Sequence, residues 1–274
     1  MDKCQFPKIS ILLPVYNNKD DILRSIDSVV KQTLADWELI IIDDHSTDGT
    51  RDQIIQYLNP RNSQQSNQIS QIILICNDRN YGTYISLNKG LQKACGQYIC
   101  RIDSDDQWDP DLLKKQSLIL DNDHDNQYVA TQSLVKKNDG TFSFGEITVM
   151  YRRSIIQEIG YYDSVRYGAD TEFLLRIRTV YGQHKIYRLH EPLYYYRFRQ
   201  NSLTSSTITG LLSATSGRRQ YLKAAKDWHQ KAISKQCCLH TTDATHTKVH
   251  LYLPFPLIHR PFEVDPKMLP NGPQ

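Results

Sequence analysis

The chain has 274 residues, 39% of them hydrophobic, and a formal net charge of +3 at pH 7. That size and apolar content suffice for one large domain, or one domain with a small appendage. So small a charge gives no electrostatic ground for a nucleic-acid partner, and none is expected. No apolar run approaches the roughly 20 residues that a membrane span needs. The N-terminal stretch MDKCQFPKIS lacks the apolar core of a signal peptide. Six cysteines (Cys4, Cys76, Cys95, Cys100, Cys237, Cys238) show no C-x-x-C pairing. Several lie in apolar runs, where cysteine behaves as a small buried hydrophobe, so a reducing, cytoplasmic compartment is expected.

Lys8–Val15 is a continuous apolar run with a β-branched bias, the pattern of a buried parallel strand. Ile22, Leu23, Ile26, Val29 and Val30 then recur at helical spacing to about Gln32. Trp37–Ile42 reads as a second buried strand, ending in Asp43-Asp44. Asp48-Gly49 can open the next helix, with Ile54, Ile55 and Leu58 as its inner face. Asn59–Ser70 is polar and glutamine-rich, and reads as a surface loop. Ile72–Cys76 is expected as strand three, Tyr84–Ala94 as a helix, Tyr98–Ile102 as strand four and Asp111–Leu120 as a helix. Asp109-Pro110 fits an N-cap followed by proline at the first helical position.

The second half changes character. Tyr128–Val135 and Phe142–Tyr151 flank a turn signal at Asn138–Thr141, as in a hairpin. Ser154–Ile159 and Asp170–Val180 read as helices, and Lys185–Phe198 as a strand interrupted at Pro192. Leu211–Gln236 reads as a basic, moderately amphipathic helix carrying Arg218, Arg219, Lys223, Lys226, Lys231 and Lys235. His250–Gln274 holds six prolines and is expected to run extended over the surface.

Repeated strand–helix alternation implies a parallel sheet covered on both faces, with ligands at the carboxyl ends of its strands. Asp43-Asp44 and the cluster Asp103-Ser104-Asp105-Asp106 both fall at such ends. Carboxylates so crowded repel one another unless a cation or water lies between them. Hard divalent cations such as Mg²⁺ and Mn²⁺ take oxygen ligands, keep open positions and bridge phosphates. A metal–diphosphate site is one reading of the cluster; a turn with helix-capping aspartates is the other.

Five stretches in order resemble family 2 glycosyltransferases of the GT-A fold, over about 8–204: ISILLPVYN (Ile9–Asn17), WELIIIDDHSTDGT (Trp37–Thr50), RNYGTYISLNKGLQKACGQYICRIDSDD (Arg79–Asp106), YYDSVRYGADTEFLLRI (Tyr161–Ile177) and YYYRFRQNSLTSS (Tyr194–Ser206). The resemblance implies an α/β fold: a GT-A (Rossmann-like), doubly wound, mostly parallel sheet with a small antiparallel or mixed C-terminal part. It implies a catalytic domain over 1–206, with a nucleotide-sugar half to about 106 and an acceptor half from about 107. Residues 207–274 would form a basic helix and proline-rich extension.

The activity implied is metal-dependent transfer of one sugar, with inversion, from a nucleotide diphosphate donor to a hydroxyl of a glycan, polysaccharide or lipid-linked acceptor. Asp105, with Asp103, would hold Mn²⁺ or Mg²⁺. Asp44 would accept from the base imide, which favours UDP. Pro14, Tyr16 and Asn17 would line the base, with Asn80, Asn88, Asp103 and Ser104 completing the donor site and Arg197 and Arg199 clamping the diphosphate. Asp170 in GADTEF would be the general base, with Glu172 as fallback; the alternative for Asp170 is a helix N-cap. The relatives' histidine near Arg199 is missing, and Leu87 replaces an arginine they often carry. Trp108 fits either sugar stacking or core packing. The basic 211–236 segment fits either a solvated face or peripheral contact with an anionic membrane.

Two other classes compete. A nucleotidyltransferase making sugar nucleotides would want a glycine-rich basic loop after strand one, and Pro14–Asp20 has no glycine and one lysine. A non-catalytic nucleotide-sugar or glycan-binding module would have little use for Asp44, Asp103, Asp105 and Asp170 together. The Q-x-x-R-W motif of processive relatives is also absent from the chain, hence the expectation of a single transfer.

Overall fold

The computed structural model describes residues 6–59, 71–124, 127–165, 167–197 and 217–234. Strands and helices alternate as β1 (Ile9–Val15), α1 (Ile22–Val30), β2 (Trp37–Asp43), α2 (Thr50–Tyr57), β3 (Ile72–Cys76), α3 (Thr83–Lys93), β4 (Tyr98–Arg101), β5 (Gln107–Trp108), α4 (Leu112–Asp121), β6 (Ala130–Lys136) and β7 (Phe142–Arg152). There follow α5 (Ile155–Ile159), α6 (Ala169–Tyr181), β8 (Ile186–Tyr195) and α7 (Gly217–Ser234). The expected loop at 60–70 and the proline-rich tail lie outside the described residues.

The chain divides into two compact units. One runs through Arg153 and resumes at His184–Arg197; the other holds Ser154–Gln183 and, further on, the described residues 217–234. The boundary expected at 206 lies outside the described residues.

The first unit is built on one sheet, ordered β3-β2-β1-β4-β7-β6-β8-β5. β1 pairs in parallel with β2 and β4, and β2 with β3. Every residue of β1 and β2 is buried, as unbroken apolar strands between two helical layers require. β7 then pairs antiparallel with β4 and β6, so the sheet changes character at that strand. α1 turns Ile22, Ile26 and Val29 into the core at a helical period. Gly90 of α3 allows a close approach to the sheet: a Cβ there would meet Ile42 Cδ1 at 2.9 Å and Leu12 Cδ2 at 3.0 Å.

Three expectations fail locally. Ile54 is buried but Ile55 is 51% exposed, since successive helical residues point about 100° apart. Asp109 is not the N-cap of α4. Its Oδ1 accepts from the Asp111 amide (3.0 Å) and its Oδ2 from the Tyr195 hydroxyl (3.1 Å), tying the turn that leads into the helix, whose N-cap is Asp111. Pro192 does not break β8. The strand continues and its register with β6 shifts around Leu134, a bulge that accommodates the missing N–H.

Candidate active site

The loops after β1, β2 and β4 all leave the carboxyl edge of the parallel strands, and side chains stitch them together. The Asn17 amide donates to Ser46 Oγ (3.0 Å), while Asn17 Oδ1 accepts from the Thr47 amide (2.8 Å). This exchange holds Asn17 at φ 47°, a left-handed conformation that asparagine tolerates better than most residues. The Asn18 amide donates to Thr50 Oγ1 (2.9 Å), and Asn18 Nδ2 donates to Ser104 Oγ (2.8 Å). Loop one therefore touches both loop two and the acidic turn. Pro14 lies within buried β1, whereas the Tyr16 ring stands 49% exposed at the rim.

Asp44 is buried, and its carboxylate is a hub. Oδ1 accepts from Asn77 Nδ2 (2.8 Å) and the Tyr81 amide (2.9 Å); Oδ2 accepts from the Gly82 amide (2.7 Å). Asp44 thus shapes the loop between β3 and α3, in which Asn80 sits half-buried. Asn77 was not singled out by sequence, yet it also donates to Ser86 Oγ (3.0 Å) and accepts from Lys89 Nζ (2.8 Å). The Lys89 ammonium lies 3.9 Å from the centroid of the Tyr81 ring. Burial lowers the Lys89 pKa, against the attraction of Asp78 and Asp44. Asn88, expected at the donor, is wholly buried in α3.

The three aspartates of the acidic turn divide their work. Asp103 and Asp105 are part-exposed, and Asp103 lies 3.4 Å from Arg101 Nη2. Asp106 turns inward: Oδ2 accepts from the Tyr194 hydroxyl (2.8 Å) and Oδ1 from the Arg197 amide (2.9 Å). Burial, then repulsion from Asp103 and Asp105, pushes the Asp106 carboxyl up to about 8, against the pull of those two donors. Sequence reading could not see this partner, because Tyr194 arrives from β8. The Arg197 guanidinium is exposed and pairs with Asp21 beside α1, so the expected diphosphate clamp is engaged with the protein itself. Arg199 lies outside the described residues. Trp108 is buried in the core, which decides for packing over sugar stacking.

In the second unit, Asp170 occupies the first turn of α6, after a Gly168 N-cap at φ 87°, so Asp170 is not itself the cap. Its Oδ1 accepts from the Thr171 amide (2.8 Å). Glu172 is fully buried. It takes Arg176 Nε at 2.9 Å and Nη2 at 2.5 Å in a fork, and His229 Nε2 lies 2.9 Å from its Oε1. Glu172 is thereby committed to the interior, which removes the ground for a fallback base.

Residues 10–224 match the family described as Glycosyl transferase family 2. The chain belongs to that family. Among relatives, EpsE of Bacillus subtilis (strain 168) is 32% identical over 237 residues, covering 78% of this chain and 83% of EpsE. The Escherichia coli UDP-Glc:alpha-D-GlcNAc-diphosphoundecaprenol beta-1,3-glucosyltransferase WfgD is 32% identical over 148 residues, covering 54% of this chain and 49% of WfgD. Several curated relatives are thus spanned over less than half their length. Among solved structures, S. aureus TarS 1-349 in complex with UDP-GlcNAc aligns at TM-score 0.62 and 20% identity, over 80% of this chain and 66% of that one. The mannosyltransferase PcManGT from Pyrobaculum calidifontis, in complex with GDP-Man and Mn2+, aligns at TM-score 0.53 and 15% identity, over 91% of this chain and 71% of that one. The fold of this family 2 chain is GT-A: mixed α/β on a mostly parallel, eight-stranded sheet.

Among the described residues no three His, Cys, Asp or Glu side chains converge as a metal cage. Two part-exposed carboxylates on one turn nonetheless suit Mg²⁺ or Mn²⁺, which bind through one or two carboxylates plus water and substrate phosphates. Among the same residues no helix is long and apolar enough to cross a membrane.

Proposed function

We propose that the chain is a metal-dependent, inverting glycosyltransferase that moves one sugar from a UDP-sugar to a hydroxyl of a glycan or lipid-linked acceptor. The observation that carries this reading is the junction of three strand-end loops, with Asp103 and Asp105 facing outward while Asp106 anchors the turn. Asp105, with Asp103, would hold Mn²⁺ or Mg²⁺, which supplies neutralisation of charge on the departing diphosphate. The exposed Tyr16 ring offers a face for the base, and the Asp44-ordered loop closes the base end. Asp170, in the first turn of α6, would take the acceptor proton; a positioned carboxylate contributes ~10²–10⁴-fold in such transfers.

UDP is favoured because WfgD's name specifies UDP-Glc and TarS binds UDP-GlcNAc. WfgD's acceptor, a sugar on diphosphoundecaprenol, supports the lipid-linked class. PcManGT with GDP-Man makes GDP the competing outcome. The exposed residues of the basic helix fit peripheral contact with an anionic membrane carrying such an acceptor.

The test is a thermal-shift panel of UDP, GDP, CDP and ADP, with and without Mn²⁺, on the wild-type chain and Asp105→Ala. A ligand that binds only the native state raises apparent stability by mass action. A UDP shift that needs Mn²⁺ and is lost in the variant is expected. An equal UDP shift in both proteins would remove Asp105 from the metal role.

A further inference from the structure

α7 reads from sequence as a basic surface helix, and most of its cations obey that reading: Arg219, Lys223, Lys226 and Lys231 are exposed. Arg218 does not. Its side chain is only 12% exposed, and its Nη2 lies 3.9 Å from Asp170 Oδ1. The shaft lies along Gly168, where a Cβ would meet Arg218 Cγ at 3.4 Å and Nε at 3.5 Å. One helical turn on, Tyr221 packs on the same glycine (Cδ1 at 3.3 Å) and donates its hydroxyl to Asp163 Oδ2 at 2.5 Å. Further along the same face, His229 reaches Glu172. Tyr221, Ala225, Trp228, His229 and Ala232 are all buried, so the inner face of α7 is fixed along its length. Arg218 is therefore held by its own helix at the first turn of α6, and it meets the carboxylate oxygen that also receives the Thr171 amide.

We propose that Arg218 is a positioning residue for Asp170, orienting its carboxylate through Oδ1 for the acceptor proton. This rests on the reading of Asp170 as the general base. A guanidinium 3.9 Å from a largely screened carboxylate attracts it enough to bias a rotamer, without the short contact that would immobilise it.

The test is a double-mutant cycle on turnover. UDP release from UDP-glucose and UDP-N-acetylglucosamine is followed with octyl glucoside as acceptor, in wild type, Arg218→Gln, Arg218→Lys, Asp170→Asn and Asp170→Asn/Arg218→Gln. The expected result is a kcat about tenfold lower in Arg218→Gln with little change in donor KM, and partial recovery in Arg218→Lys. In the Asp170→Asn background the same glutamine substitution should cost less than about twofold, because the residue acts through Asp170. Equal losses in both backgrounds, or full activity in Arg218→Gln, would overturn the proposal while leaving the base assignment intact. Unimpaired transfer in Asp170→Asn, or no UDP release with either donor, would instead overturn the underlying reading and the inference with it.

Discussion

Asn18 donates its side-chain amide to the Ser104 hydroxyl at 2.8 Å across 86 positions of sequence. One hydrogen bond thus ties the loop after β1 to the acidic turn after β4. Asn18 is itself buried, while Ser104 is part-exposed, so the bond is only partly shielded from water.

Asn18→Ala should weaken that tie. A net hydrogen bond contributes about 1 kcal/mol, so UDP affinity in the presence of Mn²⁺ should fall roughly fivefold if the turn must be held for the donor. Isothermal titration of UDP would read this; unchanged affinity would mean that the acidic turn keeps its shape without the link.

Asp44 makes a sharper case. Its carboxylate satisfies two backbone amides and the Asn77 side chain. Asp44→Asn should be nearly as damaging as Asp44→Ala, since an amide NH₂ would confront N–H donors on one side. Each buried donor left unmet costs about 1–3 kcal/mol. At about 2–4 °C per kcal/mol for a domain of this size, a melting temperature lowered by several degrees is expected in both variants. A fully stable Asp44→Asn would show that the loop from Asn77 to Gly82 does not depend on the charge.

Asp170 and Glu172 should separate cleanly. Glu172→Gln leaves the buried Arg176 without its counter-charge, and breaking a buried pair costs about 3–5 kcal/mol. Thermal unfolding should report that loss. Asp170→Asn should instead melt near wild type and lose transfer by at least tenfold. A stable Glu172→Gln with lost transfer would reverse the two roles.

The parallel half of the fold is legible because its strands are continuous apolar runs and its helices keep a 3.6-residue period. Ile55 escaped that reading because an apolar residue beside a buried one looks like core in one dimension. Pro192 misled for a related reason: a bulge absorbs what a regular ladder could not. In the candidate site, the aspartates were legible by position at strand ends. Their division into outward Asp103 and Asp105 and inward Asp106 was not, because Tyr194 comes from β8 and Arg197 from just beyond its end, both distant in sequence. Asn77 and Arg218 gave no local signal at all. One looks like a turn residue, and the other is one cation among six in a basic stretch.

The interruption of the first unit by 154–183 has a consequence for how the chain reaches this state. β8 lies between β6 and β5 in the sheet but follows α6 in the chain. During synthesis, β5 and β6 leave the ribosome with the strand that separates them still unmade. Glu172 and Asp163 likewise emerge well before His229 and Tyr221, which complete their buried contacts. Such late, non-local pairings are slow to form and expose unfinished edges meanwhile. Neither unit can close early, so nascent chains of this protein would depend on holding the sheet edge at β6 soluble until β8 arrives.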